Sequence, residues 1–151
     1  MDTTPPLASS ERTLGTLLGT VRSELVRAME AELVAAGVDL RFTPFLILKR
    51  LGQQGPMSAS ELARAVDLDG GAMTRQLDQL EGKGFLCRRP HEQDRRTLRI
   101  ELTSAGVDVV KHLIDCSARV LGAAQRSLNA SEQAQLHDYL ERVLSALRNK
   151  P

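Results

Sequence analysis

The chain has few aromatic residues, few cysteines and few histidines. Aromatic residues make up 3% of its 151 residues, Trp is absent, and there are two Cys and three His. Two cysteines, Cys87 and Cys116, exclude a dense disulfide framework and favour free thiols in a reducing compartment. No histidine has a nucleophile, a paired carboxylate or a glycine-rich phosphate loop near it in the sequence, so we predict that the protein is not an enzyme.

Long apolar runs are also absent. No stretch approaches the roughly 20 apolar residues that span a bilayer, and residues 1–12 have neither the basic start nor the apolar centre of a signal peptide. We therefore expect a cytoplasmic protein without a membrane partner. His112 and Cys116 lie four residues apart on one predicted helix, but two ligands without a third do not make a metal site, so we expect no metal and no cofactor.

The net charge is close to zero, but the charges are unevenly placed. The formal net charge is +1. Residues 1–40 contain three Arg and six acidic residues, whereas residues 75–99 contain seven Lys and Arg and four acidic residues. The second segment includes the stretch RRPHEQDRRTLR. Such asymmetry is typical of a protein that presents one face to a polyanion.

Amphipathic helices are predicted at both ends of the chain. Apolar residues at spacings of three and four predict one long helix from Ser9 or Ser10 to about Ala36. Two further helices are predicted over residues 104–128 and from a capping box at Asn129. The first helix is too long for one small domain to cover. We therefore expect part of its apolar face to contact a second copy of the chain.

Short helices and two strands are predicted between these ends. Thr43 before Pro44 predicts the start of a helix that ends before Gly52. A capping box at Ser58 starts the next helix, and a further helix follows over residues 70–82; such a pair is typical of a helix-turn-helix.

The sequences FLCRR and TLRIELT predict two strands of a hairpin. In the second strand, Leu98, Ile100 and Leu102 are expected to face inward, with Arg99 and Glu101 outward. Together with the helix pair, the hairpin predicts a winged helix-turn-helix.

The helix over residues 70–82 and the hairpin over residues 88–99 carry groups that suit duplex DNA. Lys and Arg at phosphates release counterions, and Arg also fits a narrow minor groove. The side chains predicted to meet base edges or phosphates from the helix are Thr74, Arg75, Gln76 and Gln79. The alternative is a charged hairpin that only discourages strand pairing.

The stretch LARAVDLDGGAMTRQLDQLEGKGFLCRRPHEQDRRTLRIELTSAG resembles the MarR family of bacterial transcription regulators. The resemblance is strong over residues 43–106 and is nearest to the multiple-antibiotic-resistance and aromatic-compound-responsive members. It implies a mainly α fold with a small β-wing and an intertwined homodimer. The implied units are an N-terminal arm and dimerisation helix over 1–40, a DNA-binding domain over 41–103 and C-terminal dimerisation helices over 104–151.

The resemblance also implies roles for residues of the wing. Arg96 is the residue expected in the minor groove, Asp94 orients it, Arg95 contacts the DNA backbone, and Arg88 is a further DNA contact. The implied function is that of a repressor of efflux or aromatic-compound genes, which a small aromatic or phenolic ligand releases from a pseudo-palindromic operator. The ligand contacts implied are Thr74 and Arg88 for an anion, with Phe45, Leu46 and His112 as pocket wall.

Two other kinds of DNA-binding protein are compatible with the same residues. One is a redox-responsive regulator of this family that uses Cys87 or Cys116. The other is an accessory DNA-binding protein that responds to no ligand.

Overall fold

The computed structural model describes residues 12–149. Within this range the elements, in chain order, are α1 Leu14–Ala35, α2 Phe42–Gln54, β1 Met57–Ser58, α3 Ala59–Ala65, α4 Gly70–Gly82, β2 Leu86–Pro90, β3 Leu98–Leu102, α5 Ser104–Ala124 and α6 Ala130–Arg148. The mainly α fold with a small β-wing is therefore confirmed.

The long first helix is present, with its N-cap at Thr13. The Thr13 side chain accepts a hydrogen bond from the amide of Thr16. The predicted starts at Ser9 and Ser10 lie outside the described residues. At the other end, Gly37 has a φ of 72°, a left-handed conformation that glycine adopts readily and that ends a helix.

The start of α2 differs from the prediction. Its N-cap is Arg41, and Thr43 lies inside the helix. The amide of Phe42 donates to Glu30 Oε1 of α1 at 3.2 Å, so a side chain distant in sequence caps the helix. Glu30 also forms an ion pair with Arg41 at 3.4 Å. Local sequence could not predict this cap because its acceptor belongs to another helix.

The end of α2 also differs, because Gly52 lies within the helix. A Cβ atom built on Gly52 would lie 2.5 Å from Val110 Cγ1 of α5. Glycine is therefore used here for close packing of α2 against α5 and not as a stop signal. The helix continues to Gln54, and Gly55 is its C-cap.

The helix-turn-helix starts as predicted. Ser58 and Glu61 form both hydrogen bonds of a capping box, at 2.8 and 3.2 Å. Asp69 Oδ1 accepts from the amide of Ala72 at 2.8 Å and caps α4. Between α3 and α4, Asp67 has a φ of 55°, a conformation that Asp tolerates better than most residues. The local capping signals therefore determine both helix starts.

The sheet has three antiparallel strands in the order β1-β3-β2. The two-residue strand β1 was not predicted, because so short a strand has no periodic pattern. Leu98 was predicted to face inward, but its side chain is 47% exposed. Leu98 pairs with Pro90 at the end of the hairpin farthest from the helices, whereas Ile100, opposite Arg88, is buried.

The two C-terminal helices are separated by a turn. Thr103 caps α5, which starts at Ser104 as predicted but ends at Ala124 and not at residue 128. Residues 125–128 form the turn, in which the amide of Leu128 donates to Gln125 O at 2.9 Å. The capping box of Asn129 then starts α6 as predicted.

One core joins α1 to α5 with the sheet. Its fully buried side chains include Leu33, Phe45, Ile47, Leu48, Leu62, Met73, Leu77, Leu80, Leu86, Ile100 and Leu113. The helix α6 contributes no buried side chain to this core. Within residues 12–149, no helix has the length and apolar character that crossing a membrane requires.

Candidate DNA-binding surface

The helix α4 buries one face and exposes the other. Met73, Leu77 and Leu80 are each 1% exposed. Opposite them, Thr74, Arg75 and Gln79 are exposed, in agreement with the predicted outward face. The Thr74 hydroxyl donates to Gly70 O at 2.9 Å. Arg75 forms no ion pair with any residue of the described range.

Gln76 lies in a different environment from the other three. Its side chain is half-buried, and its Oε1 is buried without a hydrogen-bond donor among residues 12–149. Gln76 is three residues after Met73 and four before Leu80, so it lies beside the buried stripe. Its carbonyl oxygen therefore faces the protein and is not presented to a base edge.

Asp94 organises the tip of the wing. Its Oδ1 accepts from the amide of Arg96 at 3.0 Å, and its Oδ2 accepts from the hydroxyl of Thr97 at 3.1 Å. The amide of Thr97 also donates to Asp94 O at 3.0 Å. The amide of His91 closes the turn by donating to Thr97 O at 2.8 Å. Asp94 thus fixes the backbone that carries Arg96, while the guanidinium stays outside this hydrogen-bond network.

The arginines of the wing fall into two groups. Arg95 and Arg96 at the tip are exposed and form no ion pair within the part of the chain that the structure describes. Nearer the base, Arg89 pairs with Glu101 at 3.3 Å, and Arg99 donates to Pro56 O. Arg95 and Arg96 at the tip of the hairpin are thus exposed cations whose guanidinium groups can meet a polyanion.

Arg88 joins the wing to α4. Its guanidinium pairs with Asp78 at 2.7 Å and also with Glu81, and its side chain is only 21% exposed. Asp78 and Glu81 are three residues apart and lie on one face of α4. Desolvation by partial burial acts to lower the pKa of Arg88, but its hydrogen bonds to Asp78 and Glu81 outweigh that effect and raise it.

These contacts differ from the two roles predicted for Arg88. Two carboxylates beside one guanidinium give this site a net negative charge, which disfavours a DNA phosphate or a ligand carboxylate there. The sequence did not predict the pairing because Arg88 is ten residues from Asp78. The geometry instead makes Arg88 an internal clamp between β2 and α4.

The residues implied as ligand contacts do not share one environment. The Phe45 ring is 2% exposed within the core, stacked 5.8 Å from the Phe42 ring. Leu46 is half-buried, His112 is exposed on α5, and Thr74 is exposed on α4. The ligand pocket assigned to these residues stays a prediction.

The two thiols are free. Cys116 is 1% exposed, and its Sγ lies 3.4 Å from an Arg119 nitrogen that donates to it. Cys87 is half-buried on β2, opposite Glu101 of β3. The buried position of Cys116 agrees with an inert thiol, whereas Cys87 is the more accessible of the two.

Two helices joined by a tight turn, an exposed face on the second helix and a basic hairpin beside it define a winged helix-turn-helix DNA-binding protein. The comparisons with known proteins identify the family. The model of the MarR family matches residues 42–98. The chain is 30% identical to the HTH-type transcriptional regulator SarZ of Staphylococcus haemolyticus over 107 residues, which cover 71% of each protein.

Two further comparisons agree. The HTH-type transcriptional repressor NicR of Pseudomonas putida is 27% identical over 76% of this chain and 73% of its own length. The structure of a mutant of MarR from E. coli complexed with operator DNA matches with a TM-score of 0.78 and 27% identity, over 87% of this chain and 93% of that chain. The chain belongs to the MarR family: it is a DNA-binding transcriptional regulator and not an enzyme.

Proposed function

We propose that the protein is a cytoplasmic, dimeric repressor of efflux or aromatic-compound genes. It binds a pseudo-palindromic operator and leaves it when a small aromatic or phenolic ligand binds. The observation that carries the proposal is that Arg75 on α4 and Arg95 and Arg96 at the wing tip are exposed and form no ion pair among residues 12–149. The repressor assignment is supported by the similarity to NicR, and operator binding by the similarity to the MarR mutant in complex with operator DNA.

The proposed contacts divide between two grooves. In this arrangement α4 enters the major groove, where Arg75 suits guanine and Gln79 suits adenine. Arg96 enters the adjacent minor groove, whose negative potential attracts a guanidinium. Arg95 lies beside it on the DNA backbone, and Thr74 contacts a phosphate or base edge. Gln76 and Arg88 act from inside the protein and shape this surface without touching DNA.

Exposed apolar side chains support the dimer. They lie on three helices and are Leu14, Leu17, Leu18, Val21, Ile114, Leu121, Leu136, Leu140, Leu144 and Leu147. A single chain leaves them in water, and contiguous patches of this kind mark interfaces. The proposed dimerisation regions are therefore residues 1–40 and 104–151, with 41–103 as the DNA-binding domain, although α1 also contributes Met29 and Leu33 to the common core.

Substitution of Leu140 by Asp is expected to convert the dimer to a monomer. Leu140 is 38% exposed, so the single chain can accommodate a charge there, whereas a charge within an apolar interface is costly. Sedimentation velocity measures the change. Ala134→Asp places the same charge at an exposed position about 120° around α6 from Leu140 and should leave the dimer intact. A dimeric Leu140→Asp protein would exclude α6 from the interface.

A cavity of suitable size supports the ligand. It has a volume of about 460 Å³ and lies between the end of α2, β3 and α5. Its wall is mainly apolar, with Lys111 and Glu101 among the lining residues, and its volume falls within the roughly 300–1,000 Å³ of small-molecule sites. An aromatic acid placed there would contact both the wing sheet and α5. This location differs from the pocket wall of Phe45, Leu46 and His112 that the resemblance implies.

The experiment that tests the proposed function is fluorescence anisotropy with the DNA upstream of the gene. We expect tight binding that weakens steeply with salt, and release by salicylate or another phenolic acid at constant ionic strength. Scrambled DNA is the control. Binding that no member of the panel affects would contradict ligand release and favour the ligand-independent protein. Release by an oxidant, reversed by a thiol reductant, would favour the redox alternative through Cys87 or Cys116.

A separate prediction distinguishes a clamp from a direct contact at Arg88. Asp78→Asn removes one carboxylate that holds Arg88 while leaving the cation in place. If Arg88 clamps the wing, operator binding should weaken, by at most the roughly 10- to 150-fold that corresponds to the 1.5–3 kcal/mol of a hydrogen bond to a charged group. If Arg88 contacts DNA, the loss of a nearby negative charge should instead tighten binding. Fluorescence anisotropy of wild type, Asp78→Asn and Arg88→Met with operator DNA shows whether each substitution weakens or tightens binding.

A further inference from the structure

Two neighbouring cations on α2 have no counter-charge. Lys49 and Arg50 are both half-buried, and neither forms an ion pair with any residue between 12 and 149. Arg88, which is also half-buried, is paired with two carboxylates. Partial burial of a charge is unfavourable unless an opposite charge or hydrogen bonds compensate for it. Lys49 and Arg50 therefore form a local pair of like charges that no carboxylate among residues 12–149 neutralises through an ion pair.

The partners that these cations do have are neutral. Lys49 Nζ donates to the buried Ser117 hydroxyl of α5 at 2.8 Å and lies 5.7 Å from the centroid of the Phe45 ring. Arg50 donates to Ala65 O at the end of α3 at 3.2 Å. Burial, and to a smaller extent the charge of Arg50, lower the pKa of Lys49. An ammonium group has three donors, so Lys49 can bond Ser117 and a further acceptor at the same time.

A small cavity lies beside the two cations. Its volume is about 150 Å³, and it is lined by Leu46, Lys49, Arg50, Gln53, Ala65 and Val66. The cavity thus combines two positive groups and an amide with apolar walls. It is smaller than the roughly 300–1,000 Å³ of sites for drug-sized ligands, but a carboxylate or phosphate group with a water molecule fits such a space.

We propose that the cavity between α2 and the end of α3 is a binding site for a small oxyanion, held by charge-assisted hydrogen bonds from Lys49 and Arg50. The anion supplies the missing counter-charge, and such bonds are about twice as strong as neutral ones. Because Lys49 also bonds Ser117, an occupied site connects the helix-turn-helix to α5. The proposal depends neither on operator binding nor on the aromatic effector, whose proposed cavity lies elsewhere.

The test is thermal unfolding of the full chain in sodium phosphate and in sodium acetate, each against sodium chloride at the same ionic strength. Phosphate stabilises most proteins by exclusion from their surface, and that effect does not saturate. A bound anion instead raises Tm along a saturable curve. We expect a saturable rise of about 2–4 °C or more for at least one of the two anions. The anion that gives it identifies the ligand as phosphate or carboxylate.

Two variants separate the site from a general charge effect. Lys49→Met keeps the length of the side chain and removes its charge, and should abolish the saturable rise. Arg64→Met removes an exposed cation of α3 that does not line the cavity and should preserve it. If Lys49→Met does not fold, Arg50→Gln serves in its place. The proposal would be overturned if Tm rose equally and without saturation in wild type and both variants. It would also be overturned if neither anion raised the Tm of the wild type.

Discussion

Gly106→Ala is expected to destabilise the protein severely. A Cβ atom at this position would lie 1.9 Å from Phe85 O and 2.9 Å from Phe85 C. Both are backbone atoms between α4 and β2, and the neighbouring amide of Thr103 donates to the same Phe85 O at 3.1 Å. The contact cannot be relieved by rotation of a side chain. Either α5 or the segment around Phe85 must move by more than an ångström.

The sign of this effect separates packing from helix propensity. Gly106 lies in the first turn of α5, and propensity alone would make Ala favourable by up to about 1 kcal/mol. Insertion of atoms into a packed site costs typically 1–3 kcal/mol and occasionally more, and here the clash is with fixed backbone. We expect a net loss of at least about 3 kcal/mol, which is a large part of the 5–15 kcal/mol that stabilises a typical domain.

Gly122→Ala on the same helix is the matched control. A Cβ atom there meets nothing of the same chain within 4 Å, so within one chain only propensity acts and contributes roughly 0.5–1 kcal/mol of stability. Urea unfolding followed by circular dichroism measures both variants. A Gly106→Ala protein as stable as wild type would mean that the start of α5 can move away from Phe85 at little cost.

The fold could be predicted from the sequence wherever the determining contacts are local. The capping boxes at Ser58 and Asn129 were predicted, because each acceptor lies three residues from its donor. The predicted start and end of α2 were wrong, because long-range contacts determine both. Glu30 caps α2 from another helix, and Val110 explains why Gly52 does not end α2.

The same division applies to the DNA-binding surface. The exposed arginines at the wing tip could be predicted because a hairpin places its turn in solvent. Arg88 looked equivalent to them in the sequence, since nothing local indicates that Asp78 and Glu81 are within reach. Gln76 looked like an exposed helix residue, and only its place beside Met73 and Leu80 shows otherwise. The sequence therefore showed how many charged side chains this surface carries, but it did not show which of them form ion pairs.

Arg96→Ala is expected to cause the largest loss of operator affinity without affecting the fold. Arg96 is exposed, and its guanidinium forms no ion pair within the described segment, so its removal breaks no internal contact of that kind. Its amide hydrogen bond to Asp94 is retained by Ala, which preserves the shape of the tip. We expect binding to weaken by roughly 10-fold or more, since a good arginine contact is worth about 1–3 kcal/mol.

The dependence of this affinity on salt identifies the type of contact. Loss of one phosphate contact lowers the slope of log affinity against log salt by about one, so two wings in a dimer would lower it by about two. Arg96→Lys retains the charge but lacks the planar fork. It should restore the slope and recover only part of the affinity if Arg96 enters a narrow minor groove.

Arg126→Ala is the matched control for this experiment. Arg126 is exposed in the turn between α5 and α6 and forms no ion pair among residues 12–149. Like Arg96, it is therefore an exposed guanidinium without an ion-pair partner in that range. If Arg126→Ala weakens binding as much as Arg96→Ala, the effect belongs to net charge and not to the wing. Unchanged binding in Arg96→Ala would mean that the wing tip stays outside the DNA. A selective loss in Arg96→Ala would make Asp94, which fixes the backbone of the tip, the next residue to substitute.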